Sequence, residues 1–506
     1  MRLLDPGATR AHSAGMTELT LFNSLTRQLE PFRPVHAGEA RVYSCGPTVY
    51  NYPHVGNMRA YVFADLLGRT LSWSGYRLTH VINITDVGHL TDDADAGEDK
   101  MERMAASRAQ SIWDIARHYT EAYFADIRAL NIRQPAHWSV ATDYIEAMIE
   151  FAASIEERHC YRLDSGLYFD VSTVADYGLL ARARTDEGES RIEAVSGKRN
   201  AADFAIWRTT PAGERRQMEW DSPWGRGAPG WHLECSVMSG KLLGFPFDIH
   251  TGGIDHREIH HPNEIAQNQA FCGCGGLADP VNSGARMWLH NNFLVERGGK
   301  MSKSSGEFLR VPLLVERGYH PLAYRMLCLQ AHYRSELEFS WDALGAALTR
   351  LKRLVMAVAA LRERAPAAGW AAWTREAVLA QDWGKLQPSM ERFDAALADD
   401  LATPVALTAL EDVLAAKKID PELKLAAAAA MDSVLGLHLG TLTRGDLRVR
   451  PADASIGEEG IVALLDRRRQ ARGDKDFATS DALRDELAGA GVEVMDGDPL
   501  GWEWRL

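Results

Sequence analysis

The stretch from residue 40 to residue 87 narrows the choice of fold sharply. ARVYSCGPTVY is β-prone, and NYPHVGNMRA interrupts it with proline and glycine. AYVFADLLGRTLSWSG then spaces its apolar residues as a helix does, and YRLTHVINITDV returns to β-branched residues. Strand, glycine-containing turn, helix and strand make the βαβ unit of a parallel sheet. Ligands of such sheets sit beyond the carboxyl ends of the strands. The segments from Cys45 to Asn57 and from Thr85 to Asp86 therefore mark the expected site.

The pattern downstream is mixed. SIWDIARHYTEAYFADIRAL is helical, and RTDEGESRIEAVSGKRNAADF is polar and turn-rich, so residues 115–220 read as an insertion into the sheet domain. Sheet character resumes with GWHLECSVM, PFDIHTGGIDH and WLHNNFLVERGGKMSKSSG. Beyond Val311 the chain is mostly helical, with LGAALTRLKRLVMAVAALRERA the clearest amphipathic stretch. A break around RVRPADASIGEEG sets off a small end module. The length of 506 residues suits about three domains. We expect an α/β unit over 16–315, a helical region over 316–450 and the end module over 451–506. Residues 1–15 have neither the apolar core nor the cleavage pattern of a signal peptide and read as a disordered extension.

Composition excludes some classes. Hydrophobic content of 46% and charged content of 25% are those of a soluble globular chain, and no apolar run is long enough to span a bilayer. A cytoplasmic protein with no membrane partner is expected. Six scattered cysteines in so long a chain do not suggest a disulfide framework. A net charge of −13 does not exclude nucleic acid, because a large protein needs only a local basic surface. Arg467, Arg468, Arg469, Arg472 and Lys475 offer one, although a solvated helix face is the plainer reading of such a run.

Two motifs carry chemistry. In GGKMSKSSG, Lys300 and Lys303 sit among glycines and small hydroxyls, a basic loop suited to gripping a triphosphate as negative charge moves onto pyrophosphate. In PHVGN, His54 and the turn before a predicted helix bring an imidazole and backbone N–H groups towards phosphate oxygens. A lone K-x-x-K or H-x-G would be an ordinary turn. Both together, in this order on an α/β pattern, change the weighting.

On these motifs the chain resembles class I aminoacyl-tRNA synthetases, and specifically cysteinyl-tRNA synthetases. The resemblance extends through FNSLTRQ, CGPTVYNYPHVGN, NITDV, PGWHLECSVM, IHTGGID, HHPNEIAQ and KMSKS, and through ARGDKDFATSDALRDEL and VMDG near the terminus. It implies a Rossmann-type catalytic domain split by a connective insertion, then a stem-contact region, a helical bundle and a small anticodon-binding module. The implied activity is ATP-dependent conversion of L-cysteine to cysteinyl-adenylate and its transfer to the 3′ end of tRNA(Cys) by a monomer. The implied zinc ligands are Cys45, Cys235, His260 and Glu264, with Thr85, Trp231, His232 and Asp255 around the amino acid. His54, Gly56, Asn57, Lys300 and Lys303 would serve ATP and its Mg2+. Arg472, Phe477, Asp481 and Asp496 would meet the anticodon, with Phe477 equally readable as a core aromatic.

Spacing supports part of the zinc set, since His260 and Glu264 at i and i+4 share one helix face. Zinc binds thiolate far better than an alkyl hydroxyl, so an open coordination position can separate cysteine from serine where an apolar pocket cannot. On this reading Cys235→Ser loses zinc and cysteine activation together. The C-x-C pair Cys272 and Cys274 lacks the paired spacing of a structural zinc site. Two departures stand out. Asn57 replaces the usual second histidine of the nucleotide motif, and Pro262 sits between the helix ligands, so the helix should start near His260 or His261. Transfer of cysteine to an amino sugar, and a non-catalytic binding paralogue, are the rival functions. The matching C-terminal residues oppose the first, and the intact lysines oppose the second.

Overall fold

The computed structural model describes residues 17–87, 111–181, 197–273, 275–296, 309–370 and 373–506, and the backbone of 299–300. The extension over 1–15, Cys274, Lys303 and the side chain of Lys300 lie outside the described residues.

A hairpin of β1 (Thr20–Asn23) and β2 (Gln28–Pro31) opens the chain. β3 (Glu39–Ser44), α1 (Val55–Trp73) and β4 (Arg77–Ile84) then form the expected βαβ unit, with the strands paired in parallel. α2 (Ile112–Ala129) leads to β5 (His137–Val140), which pairs in parallel with β4, and α3 (Ile145–His159) follows. The chain next builds a separate antiparallel sheet from β6 (Cys160–Leu163), β7 (Gly166–Phe169), β8 (Phe204–Thr209) and β9 (Gly227–Pro229). It returns through α4 (Trp231–Leu243), β10 (Phe247–Gly253), α5 (His260–Cys272) and β11 (Ala285–Asn291).

The main sheet has the order β11-β10-β3-β4-β5, all parallel. Its central strands are buried over most of their length, as expected where helices cover both faces. The chain runs outward from β3 in one direction and through β10 in the other. The β3/β10 boundary is thus the topological switch point, where a crevice opens beyond the strand ends.

The boundaries of the inserted unit differ from the expectation of 115–220. β5 belongs to the main sheet, and the separate sheet runs from Cys160 to Pro229. The reason is local: His137–Val140 is only four residues long and lacks a clean alternation, so its strand character comes from pairing with β4.

After β12 (Leu294–Glu296) and β13 (Gly299–Lys300), the chain forms α6 (Val311–Glu316), α7 (Pro321–Leu329) and β14 (Leu337–Phe339). The helical bundle comprises α8 (Trp341–Arg364), α9 (Arg375–Ala380), α10 (Gln387–Ala398), α11 (Thr403–Ala415) and α12 (Pro421–Leu435). The end module consists of α13 (Glu458–Gly473), α14 (Phe477–Gly489), β15 (Val492–Val494) and β16 (Trp502–Trp504), around its own core of Ile461, Leu483, Leu487 and Trp502. Among the described residues no helix is long and apolar enough to cross a membrane.

Candidate active site and its metal donors

A cleft of about 350 Å³ opens at the switch point, lined by Cys45, His54, Gly56, Trp231, Asp255 and His260 among others. Cys45 reaches it because β3 ends at Ser44 and the chain then runs against β4. Gly46 N–H donates to Asn83 Oδ1 at 2.7 Å, and Cys45 N–H donates to the Thr251 carbonyl of β10 at 3.1 Å. Cys235 and Glu264 arrive from α4 and α5, which pack against each other behind the cleft. α5 starts at His260, so Pro262 falls in the first turn, where its missing N–H leaves no gap in the helical ladder.

The ligand atoms of Cys45, Cys235, His260 and Glu264 all lie within 4.8 Å of one another, and all four residues are buried. Burial pushes the Cys45 thiol up, the neighbouring Cys235 adding to the shift. A hydrogen bond with Cys45 lowers Cys235 to about 6 against the cost of burial, with His260 helping. Burial would lower His260, but Glu264 and Cys235 outweigh it and raise the imidazole to about 10. Burial would raise Glu264, but His250 and His260 hold it down to about 2. Glu264 Oε1 is fully buried and lies 2.9 Å from His260 Nε2. Two sulfurs, an imidazole and a carboxylate in one buried cluster fit a zinc ion.

Supporting groups stand behind these donors. His232 Nδ1 lies 3.0 Å from His260 Nδ1, and His250 Nε2 lies 2.8 Å from Glu264 Oε2. Such contacts fix ligand orientation. Of the residues expected around the amino acid, Trp231 and Asp255 line the cleft. Thr85 and His232 are buried behind it, and the Thr85 hydroxyl donates to Glu234 at 2.9 Å.

His54 caps α1. Its Nδ1 accepts the Asn57 N–H at 3.1 Å, and Asn57 Oδ1 accepts the His54 N–H at 3.2 Å, a reciprocal capping box. With Nδ1 accepting, the ring proton sits on Nε2, which makes His54 a donor on the cleft wall beside the positive end of the helix.

Residues 31–349 match the family described as tRNA synthetases class I (C) catalytic domain, and residues 458–505 match the cysteinyl-tRNA ligase anticodon binding domain. The cysteine–tRNA ligase of Novosphingobium aromaticivorans is 74% identical, with 96% of this chain and 97% of that protein covered. That of Zymomonas mobilis is 56% identical over 96% of this chain and 97% of its own length. The chain belongs to the cysteine–tRNA ligase family. It is thus an aminoacyl-tRNA synthetase of class I. A Mycobacterium tuberculosis methionyl-tRNA synthetase in complex with methionyl-adenylate shares the fold at a TM-score of 0.53 and 15% identity, over 81% of this chain and 93% of that one.

In the anticodon-binding domain of this cysteine–tRNA ligase family member, the expected residues form two groups. Arg472 Nη1 lies 2.9 Å from Asp496 Oδ1, and Arg468 holds the same carboxylate with both terminal nitrogens at 2.6 and 2.7 Å. Phe477 stands at the first position of α14 with 63% of its surface exposed, which decides against a core role. Asp481 pairs at 3.4 Å with Arg484 on the same helix. The run from Arg467 to Lys475 is not a uniform solvated face, because Arg468 is buried.

Sequence reasoning did not single out His250 or His290, named His261 only as a possible helix start, and named Arg468 only within the basic run. His250 and His290 alternate with apolar residues on β10 and β11 and read as core positions, and His261 was hidden beside His260. Three histidines inside short apolar strands and one helix turn were the available signal.

Proposed function

We propose that this enzyme activates L-cysteine with ATP to cysteinyl-adenylate and transfers the cysteinyl group to the terminal ribose of tRNA(Cys). The observation that carries the reading is the convergence of Cys45, Cys235, His260 and Glu264 at the cleft shared with Trp231, Asp255 and His54. These four residues would hold a zinc ion, whose affinity for thiolate would favour cysteine over the serine hydroxyl. Asp255, which also lines the cleft, would pair with the substrate ammonium. Trp231 closes the apolar side, its ring 4.3 Å from that of His260. The carboxylate of cysteine then attacks the α-phosphorus of ATP. His54 Nε2–H and the amino end of α1 hold phosphate oxygens. Lys300 and Lys303 neutralise the leaving pyrophosphate together with Mg2+. No residue becomes acylated.

In the second step the anticodon is read by Arg472, Phe477, Asp481 and Asp496. Phe477 offers a stacking face for an unstacked base. The Arg472–Asp496 pair would exchange its mutual contact for base edges. Relatives named cysteine–tRNA ligase at up to 74% identity support the substrate pair.

The test is pyrophosphate exchange into ATP with cysteine or serine, with and without a zinc chelator, followed by charging of tRNA(Cys). Cysteine-dependent exchange that the chelator abolishes and zinc restores is expected. Equal exchange with serine, or exchange indifferent to the metal, would remove the proposed basis of selection. Arg472→Ala should reduce charging and leave exchange intact, and equal loss of both would give Arg472 a structural role instead. Sedimentation at working concentration checks the expected monomer.

A further inference from the structure

The donor cavity holds more coordinating groups than one ion uses. Cys45, His250, His261 and Glu264 form a second set of buried ligand atoms, again all within 4.8 Å of one another. This inner set shares Cys45 and Glu264 with the outer one, and it replaces Cys235 and His260 by His250 and His261. Cys45 Sγ lies 3.3 Å from His261 Nε2, His250 Nε2 lies 2.8 Å from Glu264 Oε2, and His261 Nε2 lies 3.9 Å from Glu264 Oε1. Tetrahedral coordination with bonds of about 2.0–2.3 Å separates its donors by about 3.3–3.8 Å, so only small side-chain shifts are needed.

Two further observations point to a ligand. Glu264, common to both sets, is fully buried and meets one imidazole from each, with Oε1 2.9 Å from His260 Nε2 and Oε2 2.8 Å from His250 Nε2. His261 Nδ1 lies 2.8 Å from His290 Nε2, whose Nδ1 in turn lies 2.8 Å from Ser24 Oγ. That chain orients His261 Nε2 towards Cys45 as supporting groups orient a metal-bound imidazole. The two thiols and one carboxylate of the cavity carry enough negative charge for one dication and not for two. The sets are therefore alternatives.

We propose that the inner set is a reserve position for the same borderline-soft divalent ion, occupied when the outer set loses Cys235 or His260. The proposal rests on the outer set being the working metal site. It separates two losses that the sequence pattern joins: Cys235→Ser should stop cysteine activation and still keep the ion.

Full-length protein loaded with Co2+ tests this through metal stoichiometry and the thiolate-to-cobalt absorption band. Wild type should bind one ion with a two-sulfur band. Cys235→Ser should also bind one ion, with the band reduced by about half as one thiolate remains. His260→Gln reaches the inner position by a second route and should likewise retain one ion. Adding His261→Gln or His250→Gln to Cys235→Ser should abolish binding, whereas either change alone should leave the wild-type band. X-ray absorption on Cys235→Ser, which needs no second substitution, should read one sulfur and imidazole neighbours. A folded Cys235→Ser protein without cobalt would overturn the proposal and leave the outer site standing. So would a Cys235→Ser ion unaffected by His250→Gln and His261→Gln. A wild-type ion without a thiolate band would instead overturn the outer-site reading.

Discussion

At Gly46 a β-carbon would lie 1.6 Å from the Asn83 carbonyl oxygen. The close approach of the two chains at this point carries Cys45 over the end of the sheet. Gly46→Ala must push the loop away from β4, at a cost of about 1–3 kcal/mol by analogy with overpacked cores. Zinc content and cysteine-dependent exchange should fall together, as read by metal analysis and exchange assay. Asp65 gives a second residue-scale prediction. Its carboxylate is fully buried and lies 2.7 Å from both Arg69 and Arg325. Burial would raise it, but Arg325, Arg69 and Arg133 hold it down to about 2. A depressed carboxylate stabilises the fold above its unfolded value of about 3.9 and loses that contribution as pH falls towards 2. Asp65→Asn should therefore cost about 2–3 kcal/mol in urea unfolding at pH 7, with the gap to wild type closing between about pH 4 and pH 2. A gap that persists at pH 2 would mean lost packing rather than lost charge. Gly46 lay inside a recognisable motif, whereas of the arginines around Asp65 only Arg69 stands at i+4 on the same helix, and Arg133 and Arg325 come from distant positions.

The amino end of α1 joins stability to chemistry at the scale of an element. Asn57 closes the capping box through Oδ1, so the residue that departs from the usual histidine has a structural role of its own. Asn57→Ala should lose about 1 kcal/mol of stability, measured by thermal unfolding. Asn57→Asp keeps an acceptor for the cap but places negative charge beside the phosphates. It should leave the melting temperature near wild type while raising the KM for ATP in the exchange assay. If the two variants behave alike in both measurements, cap and phosphate site are not separable at this residue. This helix was legible in the sequence because proline, glycine and the apolar spacing all mark the same boundary. β5 was not, because its four residues become a strand only through pairing with β4.

At the scale of the whole molecule, one seam joins sheet domain to bundle and another joins bundle to end module. Arg325 of α7 donates to the carbonyls of Leu130, Asn131 and Leu435, and Arg69 of α1 donates to those of Asn131 and Ser433. Gly436, with φ of 65°, ends α12 where a β-carbon would lie 2.6 Å from Arg325 Nη2. At the second seam, Lys352 of α8 and Arg444 hold the Glu503 carboxylate of β16 at 2.6 and 2.8 Å, and Arg444 also reaches Asp498 at 2.6 Å. These pairs are mostly shielded from solvent, so Glu503→Ala should weaken docking of the module by on the order of 1–3 kcal/mol, between the values for exposed and buried pairs. Charging of tRNA(Cys) should fall while cysteine-dependent pyrophosphate exchange holds, because the catalytic cleft lies in the other unit. Parallel loss of both activities would show that the end module supports the whole fold.

The sequence by itself determined the parallel α/β unit, the glycine turn after β3 and the turn at His54 that opens α1. These features rest on local periodicity and on residues close together in the chain. Tertiary structure alone decided that Cys45 and Cys235, 190 positions apart in number, converge with His260 and Glu264, because β3 and β10 are neighbours only in the folded sheet. It also decided that His250, His261 and His290 stand around the same cavity, that Arg468 clamps Asp496, and that Phe477 faces solvent. Burial and long-range pairing give these side chains their chemistry, and neither has a signature in the neighbouring residues.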